Sequence, residues 1–453
     1  MEENKLSITY KIINISKEVQ DKITLWMNHL LVVYAFLIPI NGKAKTSVFF
    51  CILLLFLYRR NYIEYLKISF KNDVVKYFLL LYLVFVIGMF YTDDISSGNA
   101  FMDKAKQLLF PLLFLSFLDI RFSFRILNAF IIGVFVSEVV SYLIHFEIIP
   151  PQLYIGTGKI YKTVVEDPSP FLNHIKHNIA LAIVISILIY KLLVKDIENI
   201  YLKILSLIFI MTAFINMSLI GGRTGYIVLF ILIFLVSFLV YKDKLKKFMF
   251  ISLSIFIIMF VYMYNFSEQF SNRINHAKKD IEKIIEQKNY NSSLGLRIIG
   301  SYYSLEIIKD NFFLGVGTGD VMKEIGELSK KEHPYIVKSI KSPHNVYLQV
   351  FAQVGFIGFS LMILMFYKIL RYKTNDKNKD DMIKIITIAS LIFMLPGNFF
   401  DFFELSMFVT MISAMVCNNN FNINIKDINY KDILIYTLIC FIFLVIGVTK
   451  WRN

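Results

Sequence analysis

Apolar runs recur along the whole chain, at about 24–40, 46–58, 74–91, 107–118, 126–146, 177–194, 201–219, 224–241, 248–264, 346–367, 382–397, 402–416 and 433–449. Most hold roughly 15–22 residues, enough for a helix to cross a hydrocarbon core. The runs at 46–58, 107–118 and 402–416 are shorter, and 433–449 suits either a span or an interfacial helix. A chain patterned in this way is expected to fold as an all-α, polytopic integral membrane protein of about 12–13 transmembrane helices, organised as one domain over 1–453. With 57% hydrophobic and only 18% charged residues among 453, it cannot close into a water-soluble globule.

The net charge of +14 invites a nucleic-acid partner, but the placement of the basic residues argues against one. With a cytoplasmic N-terminus they collect around Lys22, Arg60, Lys71, Arg121, Lys195, Lys244, Lys373 and Lys431, all on the inner side, as the positive-inside rule requires. No nucleic acid is needed to explain them. Cys51, Cys417 and Cys440 lie in or beside apolar runs, so neither a disulfide framework nor a cysteine metal site is expected. The polar first 22 residues lack a secretory signal, and the first span itself is expected to direct insertion.

Two outer segments interrupt the tight loops: 147–176, with Pro150, Pro151, Pro168 and Pro170, and the long 265–343. The second predicts helices over 267–288 and 294–310, the latter with Leu296, Ile299, Tyr303 and Ile307 on one face, lying at the membrane surface. Long ordered loops on a rigid scaffold usually carry function. Twelve basic and ten acidic residues leave 265–343 without a strong field, so specific arginines must do any anion binding there.

Candidate residues stand at these borders. Arg223 sits in Gly221-Gly-Arg-Thr-Gly225, between two apolar runs on the side that the positive-inside rule disfavours. A snorkelling arginine is the plain alternative, although an arginine near hydrocarbon costs a few kcal/mol without a partner. Arg297 opens the helix expected at 294–310. Ser342-Pro343-His344 predicts a helix start, with Ser342 as cap and His344 in the first turn, from which Gly355 and Gly358 project along the same face. A neutral imidazole at a helix N-terminus fits either acceptance of a hydroxyl proton or contact with an anionic phosphate.

Other patterns weigh less. Gly315-Val-Gly-Thr-Gly319 follows a helix rather than a strand and is expected to be a tight turn, not a nucleotide loop. Asp93-Asp94 is expected to cap the next helix. His174 and His177, one turn apart at the start of the sixth span, lack a third zinc ligand and suit a lipid or acceptor entrance better.

His344-Asn345, nine residues, then Gly355-Phe-Ile-Gly358 resembles the signature of the O-antigen ligase and polymerase superfamily. Leu296-Arg297, the run Asp310-Asn-Phe-Phe-Leu-Gly315-Val-Gly317 and Gly222-Arg-Thr-Gly225 are similar to further segments of that family, and together they cover about 200–365, including the outer loop 265–343. The resemblance implies a glycosyltransferase with a GT-C-like architecture, facing the periplasm from the bacterial inner membrane. It also implies metal-independent, inverting transfer of a glycan from undecaprenyl diphosphate to a lipid A–core acceptor, with no cofactor. In a polymerase the acceptor would instead be a second lipid-linked repeat unit of O-antigen, capsule or exopolysaccharide. Carried over residue by residue, Arg223 and Arg297 would hold the diphosphate and His344 would act at its junction with the acceptor. Asn345, His174 and His177 would contact substrate. A flippase or transporter of the lipid-linked glycan, with no chemistry, is the opposing class; such a protein is expected to place ionisable residues at midplane depth.

Overall fold

A computed structural model describes residues 15–155, 158–337 and 339–421. The expected segment 433–449 and Cys440 lie outside the described residues. Seventeen α-helices are described in chain order: α1 (Lys17–Leu37), α2 (Gly42–Arg59), α3 (Tyr62–Phe70), α4 (Asp73–Met89), α5 (Ile95–Ala105), α6 (Phe110–Leu115), α7 (Ser123–His145), α8 (His174–Leu193), α9 (Ile200–Leu219), α10 (Arg223–Val240), α11 (Leu245–Phe266), α12 (Glu268–Gln287), α13 (Ser293–Asp310), α14 (Val321–Glu332), α15 (Val346–Arg371), α16 (Lys377–Phe393) and α17 (Glu404–Val416). Many start on an Asn, Asp or Ser whose side chain accepts a first-turn amide, among them Asn41, Asn72, Asn173, Ser267 and Ser292. Such caps satisfy donors that a helix start otherwise leaves bare.

The protein is an all-α, polytopic membrane protein. Among the described residues, α7 with its preceding turn, α8, α9, α10 and α15 are long and apolar enough to cross a membrane. The pair α2 and α3, bent by 117°, makes a sixth if it forms one span. Helical structure occupies every described apolar run, but not always as a full span. Run 107–118 is divided between a 3-10 turn at Lys106–Leu109 and the six-residue α6, and α17 has 13 residues. The loop 147–176 carries a feature the sequence reading missed, an antiparallel hairpin of β1 (Gln152–Ile155) and β2 (Gly158–Lys162). Alternating Leu153, Ile155 and Ile160 around Gly156-Thr-Gly158 was its signal.

One apolar core fills the bundle, with Tyr34, Phe78, Phe114, Leu232, Met362 and Phe408 inside it. A second joins Ile299, Tyr303 and Ile307 of α13 to Val321 and Ile325 of α14 and Ala352 of α15. The expected face of α13 is therefore real, and it packs within the long loop and onto α15.

Four helix starts meet at one end of the bundle. The His174 carbonyl of α8 lies against Gly222 at the start of α10. Lys176 of α8 pairs with Asp401 at 2.5 Å, Lys45 of α2 donates to the Phe402 carbonyl at 2.8 Å, and the Val346 amide of α15 donates to the Met394 carbonyl at 2.9 Å. The segment 394–403 thus ties the starts of α2, α8 and α15 together. At the opposite end, Arg59 reaches the Ser116 carbonyl, Arg121 grips Asp119, and Lys379 donates to Ser123 and to the Cys417 carbonyl. The basic clusters and the Arg223 end consequently occupy opposite ends.

The start and course of α15 correct two expectations. Asn345, not Ser342, is the cap, its side chain accepting from the Leu348 amide; His344 precedes the helix with φ +54°, rather than sitting in its first turn. Helical geometry also breaks at Val354 and Gly355, so His344, Gly355 and Gly358 do not share one continuous helix face. The cause is competition for backbone hydrogen bonds: Val316 and Gly317 donate to the Ala352 and Gln353 carbonyls, and Phe356 donates to the Phe312 carbonyl. The 311–317 segment is clipped into the break. Gly355, at φ +62°, has no room for a Cβ beside the Phe313 carbonyl.

Candidate functional site

Arg223 is the first residue of α10, and the turn before it is clamped by a residue the sequence reading overlooked. Asn178, on α8, donates to the carbonyls of Met217, Ile220 and Gly222 at 3.1–3.3 Å. A Cβ at Gly225 would collide with Asn178 itself, which is why a small residue stands on that side of the arginine. The Gly221 amide donates to Asp167, a side chain of the hairpin-bearing loop. Asn178→Leu should release these three carbonyls from their shared side-chain clamp and press a bulkier group against Gly222 and Gly225. A thermal melt in detergent should show a lower Tm.

Arg297 is the fifth residue of α13, half-buried, and its buried Nε finds no hydrogen-bond partner among the described residues. Burial lowers its pKa below the ordinary guanidinium value, and the nearby positive charge of Arg223 lowers it further. His344 is also half-buried. Burial lowers its pKa below the ordinary 6.5, and the charge of Arg297 adds to the effect. Arg297 therefore lies within electrostatic reach of both Arg223 and His344. The close approach of Gly300 on α13 to the Pro343 carbonyl keeps these two segments together.

The remaining candidates divide. Asn345 sets the start of α15 through its cap. His174 stands beside the Gly221-Gly222 turn, its Nδ1 3.6 Å from Asp167, on the wall of a cavity of about 570 Å³ lined also by Tyr161, Thr163, Phe171 and Asn173. His177 is buried one turn deeper, with its ring nitrogens 3.3 Å from Ser137 Oγ and 3.1 Å from Asn216 Oδ1. It belongs to the packing between α7, α8 and α9. Asp94 caps α5, Asp93 pairs with Lys323, and Asp320 accepts from both of their amides, so this carboxylate pair organises the loop as a cap. Gly315–Gly317 is irregular backbone clipped to α15, and a turn follows at 318–320. Among the described residues, no three His, Cys, Asp or Glu side chains are grouped as a metal site would need. The sequence reading also passed over Glu138, 1% exposed inside α7. No spacing motif marks it; only an acid within an apolar run does.

The comparison with protein families falls on these same elements. Residues 206–363 match the family model described as O-antigen ligase. The chain carries an O-antigen ligase-type domain. That match contains Arg223, Arg297, His344 and the clipped break of α15, and it supports a membrane protein similar to the O-antigen ligases and polymerases. No curated protein matches the chain.

Proposed function

We propose that this protein transfers a glycan from undecaprenyl diphosphate to a lipid A–core acceptor, at the periplasmic face of the bacterial inner membrane. The observation that carries the proposal is Arg297, whose buried Nε finds no partner among the described residues and which lies within electrostatic reach of both Arg223 and His344. Two guanidiniums within electrostatic reach of each other make a strongly positive site, and a diphosphate supplies the charge and the oxygens to accept both forks. The basic clusters at the opposite end support an outward-facing site.

In the proposed reaction the acceptor hydroxyl attacks the anomeric carbon from the side opposite the diphosphate, inverting it. The C–O bond to undecaprenyl diphosphate breaks, and the electron pair leaves with the diphosphate. Arg223 and Arg297 stabilise the charge that develops there, a task that elsewhere falls to metal ions. Neutral His344 accepts the hydroxyl proton. The cavity beside Asp167 and His174 gives the sugars room next to Arg223.

Purified protein in nanodiscs, supplied with the lipid-linked glycan and lipid A–core, should form glycosylated lipid A–core and release undecaprenyl diphosphate. Product formation should persist in EDTA. Complete loss on chelation would remove the guanidiniums from their proposed task. Glycan elongated while still on the polyprenyl carrier would assign polymerisation instead.

A further inference from the structure

A second cavity, of about 600 Å³, opens between α2, α3 and the 103–113 segment. Its upper wall carries Lys45, Asp103, Lys106, Gln107 and Ser406, and its depth is lined by Phe49, Leu53, Leu66, Phe110 and Leu113. Lys45 and Leu53 lie on one helix, eight residues apart, so the apolar part descends about 12 Å from the ammonium group. Polar at its mouth and hydrocarbon below, the cavity has the shape of an amphiphile.

Its charges are not balanced. Lys45 is 6% exposed, and its ammonium donates to the Phe402 carbonyl at 2.8 Å and to Ser406 Oγ at 2.7 Å, leaving one proton of three. Asp401 and Glu404 lie close by, but Lys176 contacts both of them, at 2.5 and 3.3 Å, and Lys104 approaches Asp401 at 3.5 Å. Three ammonium groups thus share two carboxylates. Lys106 and Asp103, at the mouth, pair with each other and leave the excess as it is. A buried positive excess beside an apolar channel calls for an anion that brings its own hydrocarbon.

We infer that this cavity binds an anionic membrane phospholipid, with its phosphate at Lys45 and one acyl chain along Phe49, Leu53 and Phe110. The site is separate from the Arg223 and Arg297 pair and does not depend on glycosyl transfer. It lies at the same end of the bundle, because segment 394–403 contacts Val346 through Met394 and Lys45 through Phe402. An occupant that steadies this segment also steadies the start of α15.

Native mass spectrometry of the purified full chain, titrated with phosphatidylglycerol or with phosphatidylcholine of the same acyl chains, tests the assignment. Phosphatidylglycerol should bind at least about fivefold more tightly, the discrimination one basic residue near a lipid phosphate provides. Lys45→Met leaves two ammonium groups facing two carboxylates and should erase the preference. Thr46→Trp, at the exposed rim, blocks the channel without touching the charges and should remove tight binding of both lipids. Equal binding of the two lipids by the unaltered protein, or a preference that survives both substitutions, would overturn the inference.

Discussion

Replacing Arg297 by alanine should lower kcat/KM for glycan transfer about 100- to 1,000-fold, the loss that follows removal of one donor to a developing anion. The folded protein should not suffer. Arg297 is held beside a like charge, with a buried Nε that finds no partner among the described residues. Its removal relieves repulsion, so Tm should hold or rise, the trade expected where a site stores strain for function. Arg297→Lys keeps the charge without the planar fork and should recover part of the activity. Lys278→Ala, an exposed cation in the same outer loop, should change nothing. A structural role for Arg297 would instead lower stability and activity together.

His344→Gln should cost about 100- to 10,000-fold in kcat, the usual contribution of general acid–base catalysis. Glycine at this position separates chemistry from backbone strain. His344 adopts φ +54°, which glycine accepts without penalty, so His344→Gly should be at least as stable as the parent and just as inactive as His344→Gln. The pH profile follows from the direction of the histidine's shift. Burial and Arg297 hold its pKa below 6.5, so the imidazole is neutral at pH 7–8 and transfer should be level there. Activity should fall only on acidification below 6.5. Arg297→Gln removes a neighbouring cation and should move that acid limb upward, a coupling readable in the residual rate.

Much of this was legible in the sequence, because a bilayer forces apolar runs to reveal helices. Their positions, the face of α13 and the grouping of Arg223, Arg297 and His344 all follow from local pattern joined to a family resemblance. What escaped depends on contacts between distant segments. Projecting His344, Gly355 and Gly358 along one helix assumed unbroken backbone geometry, and no local signal reveals that Val316 and Gly317 capture two of its carbonyls. Ser342 and Asn345 are both acceptable caps by residue type; the Val346 bond to Met394 on another helix connection accompanies the choice of Asn345. Asn178 and Lys45 read as ordinary polar residues until the fold places them against the Arg223 turn and the 394–403 segment.

The central claim is that two guanidiniums and one imidazole surround a diphosphate. Its most direct test is the pKa of His344, measured by NMR on histidine-labelled protein in nanodiscs and assigned with His344→Ala, before and after undecaprenyl diphosphate is added. The value should lie below 6.5 in the free protein and rise on binding, because the anion offsets Arg297; the rise should vanish in the Arg223→Ala, Arg297→Ala double variant. A His344 pKa that ignores the diphosphate, or rises equally without the two arginines, would contradict the account.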